Sequence, residues 1–120
     1  MANIFLDINK VADLAIRHPE ISKTFVDHFV FYSPLSAHIL FYAFHIKVPS
    51  IETNSILKTL HLISLTDKII DKALLGPTKD LEDNIQLHSA VEADCDIFLT
   101  NDKALLKMGY FGKTKIVDHL

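Results

Sequence analysis

A chain of 120 residues builds one domain with its own core, and 49% hydrophobic against 22% charged residues excludes a disordered tail or a solvating linker. The net charge of −3 argues against a broad basic face for nucleic acid, although cations bound in an acidic pocket would reverse its local charge. Cys95 is the sole cysteine, which excludes an internal disulfide and fits a reducing cytoplasm; no apolar run approaches the ~20 residues that cross a bilayer, and the opening Met-Ala-Asn-Ile-Phe-Leu-Asp lacks the features of a signal peptide.

Residues 1–120 read as a single unit in which short strands alternate with helices. Ile4-Phe5-Leu6 is a continuous apolar run, the pattern of a strand covered on both faces, and Asp7 follows it directly. Asn9 opens an amphipathic helix up to Arg17 and His18, with Val11, Leu14 and Ala15 on one face. Pro19 breaks it and opens a second helix from Glu20 to about Asp27. Phe29–Tyr32, aromatic and branched, is the second strand. A helix from about Leu35 to His45 follows, capped by Ser33 or Ser36, and Ser50 caps another through Ile56 and Leu60. Leu62–Leu65 reads as the third strand. Thr66 caps the next helix, which turns Ile69, Ile70, Ala73 and Leu74 inward and stops at Gly76-Pro77. Asp80 caps a longer helix to about Ala93. Asp94–Asp96 turns the chain into the fourth strand, Ile97–Thr100. A short helix, Lys103–Met108, a glycine-bounded loop, and an edge strand at Lys115–Val117 complete the pattern. This alternation implies an α/β fold, a three-layer α/β/α sandwich around a mostly parallel sheet of four to five strands.

That architecture gathers acids at one rim. A helix feeding a parallel strand runs antiparallel to it, so the start of the helix at Asp80 and the end of the strand at Thr100 share an edge. Asp7 and Asp102 each follow a strand, and Asp80 and Asp83 lie three apart in the first turn of a helix. His38, early in the helix after the second strand, is expected near the same edge. Open α/β sheets bind ligands along this rim. Clustered carboxylates either take up protons or hold a cation between them. Their hard oxygens favour Mg²⁺ or Mn²⁺, and metal-assisted phosphodiester hydrolysis is the chemistry such a site suits.

At these residues the sequence resembles the PIN domain family. Phe5-Leu6-Asp7-Ile8-Asn9 is similar to the family's opening motif, an apolar strand followed by Asp-Thr-Asn or Asp-Ser-Asn. Asp80-Leu81-Glu82-Asp83-Asn84-Ile85-Gln86-Leu87-His88-Ser89-Ala90 resembles its third-acid helix, and Phe98-Leu99-Thr100-Asn101-Asp102 resembles its last motif. The resemblance implies a Mg²⁺- or Mn²⁺-dependent single-strand ribonuclease of the kind found as toxins of toxin–antitoxin pairs, cytoplasmic and homodimeric, with RNA as substrate and an antitoxin protein as partner. It implies Asp7, Asp83 and Asp102 as metal ligands and catalytic residues, Asp80 as an extra ligand, and Asn9 and Thr100 as supports. Two positions depart from the family pattern. Ile8 stands where Thr or Ser is usual, and the segment Ser33–Leu40 carries no glutamate, with His38 the nearest substitute. A neutral imidazole binds Mn²⁺ better than Mg²⁺. The alternative function is accordingly a PIN-like module that has lost efficient catalysis and binds RNA or a protein.

Each residue also has a plainer reading. Asp80 and Asp102 are natural helix caps, and Asp83 is a favourable charge near a helix start. His38 suits a core position, and Lys10 and Lys103, candidate contacts for substrate phosphates, suit solvent. Glu82, Glu92, Asp94 and Asp96 read as solvated charges, and Phe41, Tyr42 and Phe44 as core or a dimer face. Rival enzyme classes lack their signatures: a phosphoryl-aspartate phosphatase needs Asp-x-Asp where Asp7-Ile8-Asn9 stands, and a receiver domain needs paired early acids.

Overall fold

A computed structural model describes residues 1–120. Its strands are β1 (Asn3–Leu6), β2 (Phe29–Tyr32), β3 (His61–Leu62), β4 (Ile97–Leu99), β5 (Tyr110–Phe111) and β6 (Thr114–Val117), in the sheet order β3-β2-β1-β4-β6-β5. All neighbours are parallel except β5 and β6. The helices are α1 (Ile8–Ala12), α2 (Pro34–Ala43), α3 (Ile51–Leu57), α4 (Asp67–Ala73), α5 (Leu81–Glu92) and α6 (Lys103–Met108).

β1 shows why the molecule has three layers. Ile4, Phe5 and Leu6 are all 0% exposed, and successive side chains of a strand point to opposite faces. Ile4 and Leu6 join Val11, Leu40 and Leu57 on one side of the sheet. Phe5 joins Leu87, Ala90, Phe98 and Leu105 on the other. Phe5 is in register with Phe98 on β4, and their rings stack at 5.3 Å and 14°. Direct cross-strand aromatic pairs of this kind are what tie a sheet's register to its core.

The strand order has a functional consequence. From β1 the chain builds outward through β2 and β3, then returns to place β4 on the other side of β1. The order therefore reverses between β1 and β4, and the crevice beyond the carboxyl ends of those two strands is the topological switch point where α/β sheets take ligands. Asp7 and Thr100 stand at those two ends.

The sheet has six strands rather than the four to five expected. Lys115–Val117, read as an edge, lies inside the sheet against β4, and β5 covers it. The reason is a two-residue hairpin. Gly112 takes φ +60° between the paired Phe111 and Thr114, the first central position that a type II′ turn reserves for glycine. The third strand is shorter than Leu62–Leu65. Only His61 and Leu62 pair with β2, and Ile63 adds a single bond to the Tyr32 carbonyl. The amphipathic run from Asn9 is not one α-helix. It passes after Ala12 into a π-helical turn, Asp13–Arg17, closed by the Arg17–Asp13 ion pair at 2.9 Å. The segment after His18 is a 3₁₀ run, Pro19–Phe25. Leu74, assigned inward by spacing, is 65% exposed because α4 ends before it. The caps at Ser33, Ser50, Thr66 and Asp80 stand as read: each side chain accepts a bond from a backbone N–H of its own helix's first turn.

Candidate active site

Asp7 is 3% exposed, at the point where β1 becomes α1. One carboxylate oxygen accepts from the Ile8 backbone N–H at 2.8 Å and the other from the Thr100 hydroxyl at 2.7 Å. Thr100 is itself fully buried and accepts the Asp102 N–H on the same oxygen at 3.0 Å. One hydroxyl thus links the acid after β1 to the acid after β4, across the switch point. Asp102 then uses Oδ1 to cap α6, accepting from Ala104 and Leu105 at 2.9 and 3.1 Å.

The opposite wall is the first turn of α5. Asp80 Oδ1 accepts from the Asp83 N–H at 3.0 Å, so Asp80 is a cap as its plainer reading has it, with Oδ2 left over. Asp83 is half-buried, and its carboxylate makes no hydrogen bond or ion pair in the structure. Asn84, 3% exposed, holds the preceding turn in place: Oδ1 accepts from both the N–H and the hydroxyl of Thr78, and Nδ2 donates to the carbonyls of Ala73 and Thr78. Thr78 in turn accepts from the Asp80 N–H at 3.1 Å.

The acids sense one another. Burial pushes the Asp83 carboxyl up from 3.8 to about 6, helped by repulsion from Asp80, Asp7, Asp102 and Glu82. Burial also raises Asp7, against the hydrogen bonds from Thr100 and Ile8 that lower it, with Asp102 and Asp80 adding to the rise. Glu82 belongs to this group and is not the solvated charge its position suggested: burial, then Asp80 and Asp7, raise its carboxyl. No lysine, arginine or histidine pairs with any of these five acids, whereas Asp13, Glu20, Glu92 and Asp118 all have basic partners. Of the other acids read as solvated, Asp96 accepts from the Asn3 N–H at 2.8 Å.

Burial, with this repulsion, sets a pH dependence. Asp83 keeps its proton to about pH 6 when folded and loses it near 3.8 when unfolded. Between those values the folded state binds more protons, so stability falls as pH rises through the window. Asp7 and Glu82 shift in the same direction. The melting temperature in chelator is therefore expected to be higher at about pH 5 than at about pH 7.5, by about 3 °C. Thermal denaturation across that range checks it, and a flat or rising profile would show that folding does not raise these carboxyls.

Chemically the donor set fits a hard cation: all oxygen and without basic partners. Its geometry is looser than the sequence implied: Asp7, Asp83 and Asp102, expected to share one ion, are not grouped closely enough to do so, and no other three His, Cys, Asp or Glu side chains stand together to hold an ion by themselves. Mg²⁺ does not require such a group. It keeps several of its waters and takes one or two carboxylates together with substrate phosphates. The residues present fit a site of that kind, with Asp7 and Asp83 as its acids and Asp102 and Asp80 each keeping a second oxygen free.

Several residues named from sequence lie elsewhere. His38 is exposed, with its ring 6.3 Å from that of Tyr42, and contacts no acid of the site. Asn9 is exposed and its side chain makes no hydrogen bond; its carbonyl accepts from Arg17 and from the Asp13 N–H. Lys10 donates to the Asp118 carbonyl at 3.2 Å rather than standing free at the rim. Lys103 is exposed at the start of α6, next to Asp102. Of the aromatic run, Phe41 packs against the core while Tyr42 is 78% exposed. The sequence offered Ser36 only as an alternative cap, a place that Ser33 takes, and gave Gln86 no role; both are 0% exposed and hydrogen-bond between α2 and α5 at 2.9 Å. The amide oxygen of Gln86 has no partner, and a buried carbonyl left so costs about 1–3 kcal/mol. The available signal was spacing, because Gln86 lies one turn beyond Asp83 on the same face.

No protein-family model and no curated protein matches the sequence. Among solved structures, the chain is similar to one in the crystal structure of VapBC2 from Rickettsia felis bound to a DNA fragment from their promoter. The match has a TM-score of 0.67 over 96% of this chain and 97% of that chain, at 13% identity. Likeness at that identity establishes a shared fold, and it extends over almost the whole chain. No helix is long and apolar enough to cross a membrane.

Proposed function

We propose that the protein is a divalent-cation-dependent single-strand ribonuclease, the toxin of a toxin–antitoxin pair. The observation that carries this reading is the Asp7–Thr100–Asp102 link across the switch point, facing Asp80 and Asp83 on α5. Acids without basic partners at a ligand-binding rim destabilise the fold unless a cation joins them. The likeness to a chain of VapBC2, crystallised bound to a DNA fragment from their promoter, supports this reading at the level of the fold.

Thr100 fixes the Asp7 carboxylate in one orientation, and the Ile8 N–H secures its other oxygen. Each oxygen has a further lone pair beyond these bonds, so Asp7 can serve as a ligand without leaving its anchor. Asp83 supplies the carboxylate with no competing hydrogen bond. Asp102 and Asp80 keep one oxygen on their helix caps and offer the other. A bound Mg²⁺ or Mn²⁺ supplies neutralised phosphate charge and an acidified water. The acids alone would repel a phosphodiester, so RNA and cation must bind together.

The test is cleavage of a labelled single-stranded RNA by the full chain. Cleavage is expected in Mn²⁺ and in Mg²⁺, none in chelator, and none of a duplex of the same sequence. No cleavage with either metal overturns the enzyme reading. One observation favours the second reading, a binding module: the helix after β2 brings no acid to the rim, and His38 does not take that place. RNA retention without cleavage, unchanged by chelator, would establish it.

A further inference from the structure

The Gln86–Ser36 hydrogen bond joins residues fifty apart in sequence. It also joins opposite layers. Leu40, one turn after Ser36, belongs to the core on one face of the sheet, and Leu87, next to Gln86, to the core on the other. Helices on opposite faces can meet only beyond the sheet's edge. Ser36 lies in the first turn of the helix that follows β2, so the edge in question is the carboxyl end of the strands, where Asp7 stands. Both side chains are fully buried. With Nε2 given to Ser36, Oε1 of Gln86 is the one buried side-chain polar atom in the protein without a hydrogen bond. Buried polar atoms are satisfied in the large majority, and a bound water or ion is one of the few things that explain one that is not.

We propose that Gln86 is a positioning residue of the cation site, its amide oxygen accepting a hydrogen bond from a water carried by a cation on Asp7 and Asp83. This rests on the cation-dependent reading above. Ser36 sets the orientation by holding the amide nitrogen, which leaves the oxygen as the group presented. A neutral acceptor suits the position. Five acids already repel there, and a cation that keeps several waters needs acceptors for them as well as carboxylates. Such outer partners typically govern affinity by 10–100-fold.

Calorimetric titration of the full chain with Mn²⁺ tests the assignment, alongside melting temperatures in chelator. Gln86→Leu is expected to weaken Mn²⁺ binding by about 10-fold or more, with little change of melting temperature in chelator, because the unsatisfied oxygen it removes offsets the Ser36 hydroxyl it leaves without a partner. Ser36→Ala, which frees the amide to turn, is expected to weaken Mn²⁺ binding by a smaller factor, and it keeps the test standing if Gln86→Leu fails to fold. Gln86→Glu retains an acceptor oxygen and is expected to keep or raise affinity. Affinity within twofold of the parent in both Gln86→Leu and Ser36→Ala overturns the proposal and leaves the cation site intact. A melting temperature in chelator that falls in step with affinity makes Gln86 a packing residue and also overturns it. A parent chain that binds no Mn²⁺ overturns this proposal and the enzyme reading together.

Discussion

Asp83→Asn is expected to abolish cation-dependent RNA cleavage and, in chelator, to make the protein more stable. The two effects have opposite signs because one carboxylate is the cause of both. The Asp83 carboxylate has no hydrogen bond or ion pair to lose, and its backbone N–H keeps the bond to Asp80, so the amide breaks no bond of the fold. It removes a charge that burial and the acids Asp80, Asp7, Asp102 and Glu82 all oppose, holding the carboxyl at about 6. A carboxyl so displaced stores nominally ~3 kcal/mol of unfavourable interaction. Asp83 is half open to solvent, which screens most of that and leaves about 1 kcal/mol, or about 4 °C in Tm. The loss of activity is expected to be on the order of 100-fold or more, since altering even an outer partner of a metal ligand costs 10–100-fold. Differential scanning fluorimetry in chelator and single-turnover cleavage in Mn²⁺ read the two effects. Loss of both stability and activity would make Asp83 a structural residue; full activity would remove it from the site.

Asn84→Ala, the next residue along, is expected to do the reverse: a large loss of stability from a side chain that touches no substrate. Asn84 satisfies four polar groups of two segments, the N–H, hydroxyl and carbonyl of Thr78 and the carbonyl of Ala73. Alanine leaves the Ala73 carbonyl orphaned in a buried place and the half-buried Thr78 N–H and carbonyl without their protein partner. Unsatisfied groups of this kind cost about 1–3 kcal/mol each. Local relaxation recovers part of that, so about 3 kcal/mol and a fall of about 10 °C in Tm are expected. Because Thr78 holds the Asp80 N–H, the turn that carries Asp80 loosens with it. Thermal melts of the variant at fixed pH decide the point, and a change under about 2 °C would mean that the turn is held by other contacts.

These adjacent residues mark what can be read along the chain. The order of elements was legible because each short apolar run sits between caps and breakers that act locally: Ser50, Thr66 and Asp80 accept from their own helices wherever those helices pack. The acids at Asp7, Asp83 and Asp102 were legible as candidates because each lies at the end of an element, and alternating strands and helices bring such ends to one rim. The Gly112 hairpin was not, because whether Tyr110–Phe111 folds back depends on Lys115–Val117 already lying against β4. The break after Ala12 and the shortened β3 likewise answer to packing that no short window contains.

The local sequence determined where the capped helices start, that Ile4–Leu6 is buried, and which chain ends carry carboxylates, since capping and periodicity act over a few residues. Only the tertiary structure decided the rest: that β4 returns beside β1, that Thr100 ties Asp7 to Asp102, that Glu82 joins the acids while His38 leaves them, and that Gln86 meets Ser36. Those facts depend on the distance between residues far apart in the chain, and charge, burial and hydrogen bonding follow distance in space rather than position in sequence.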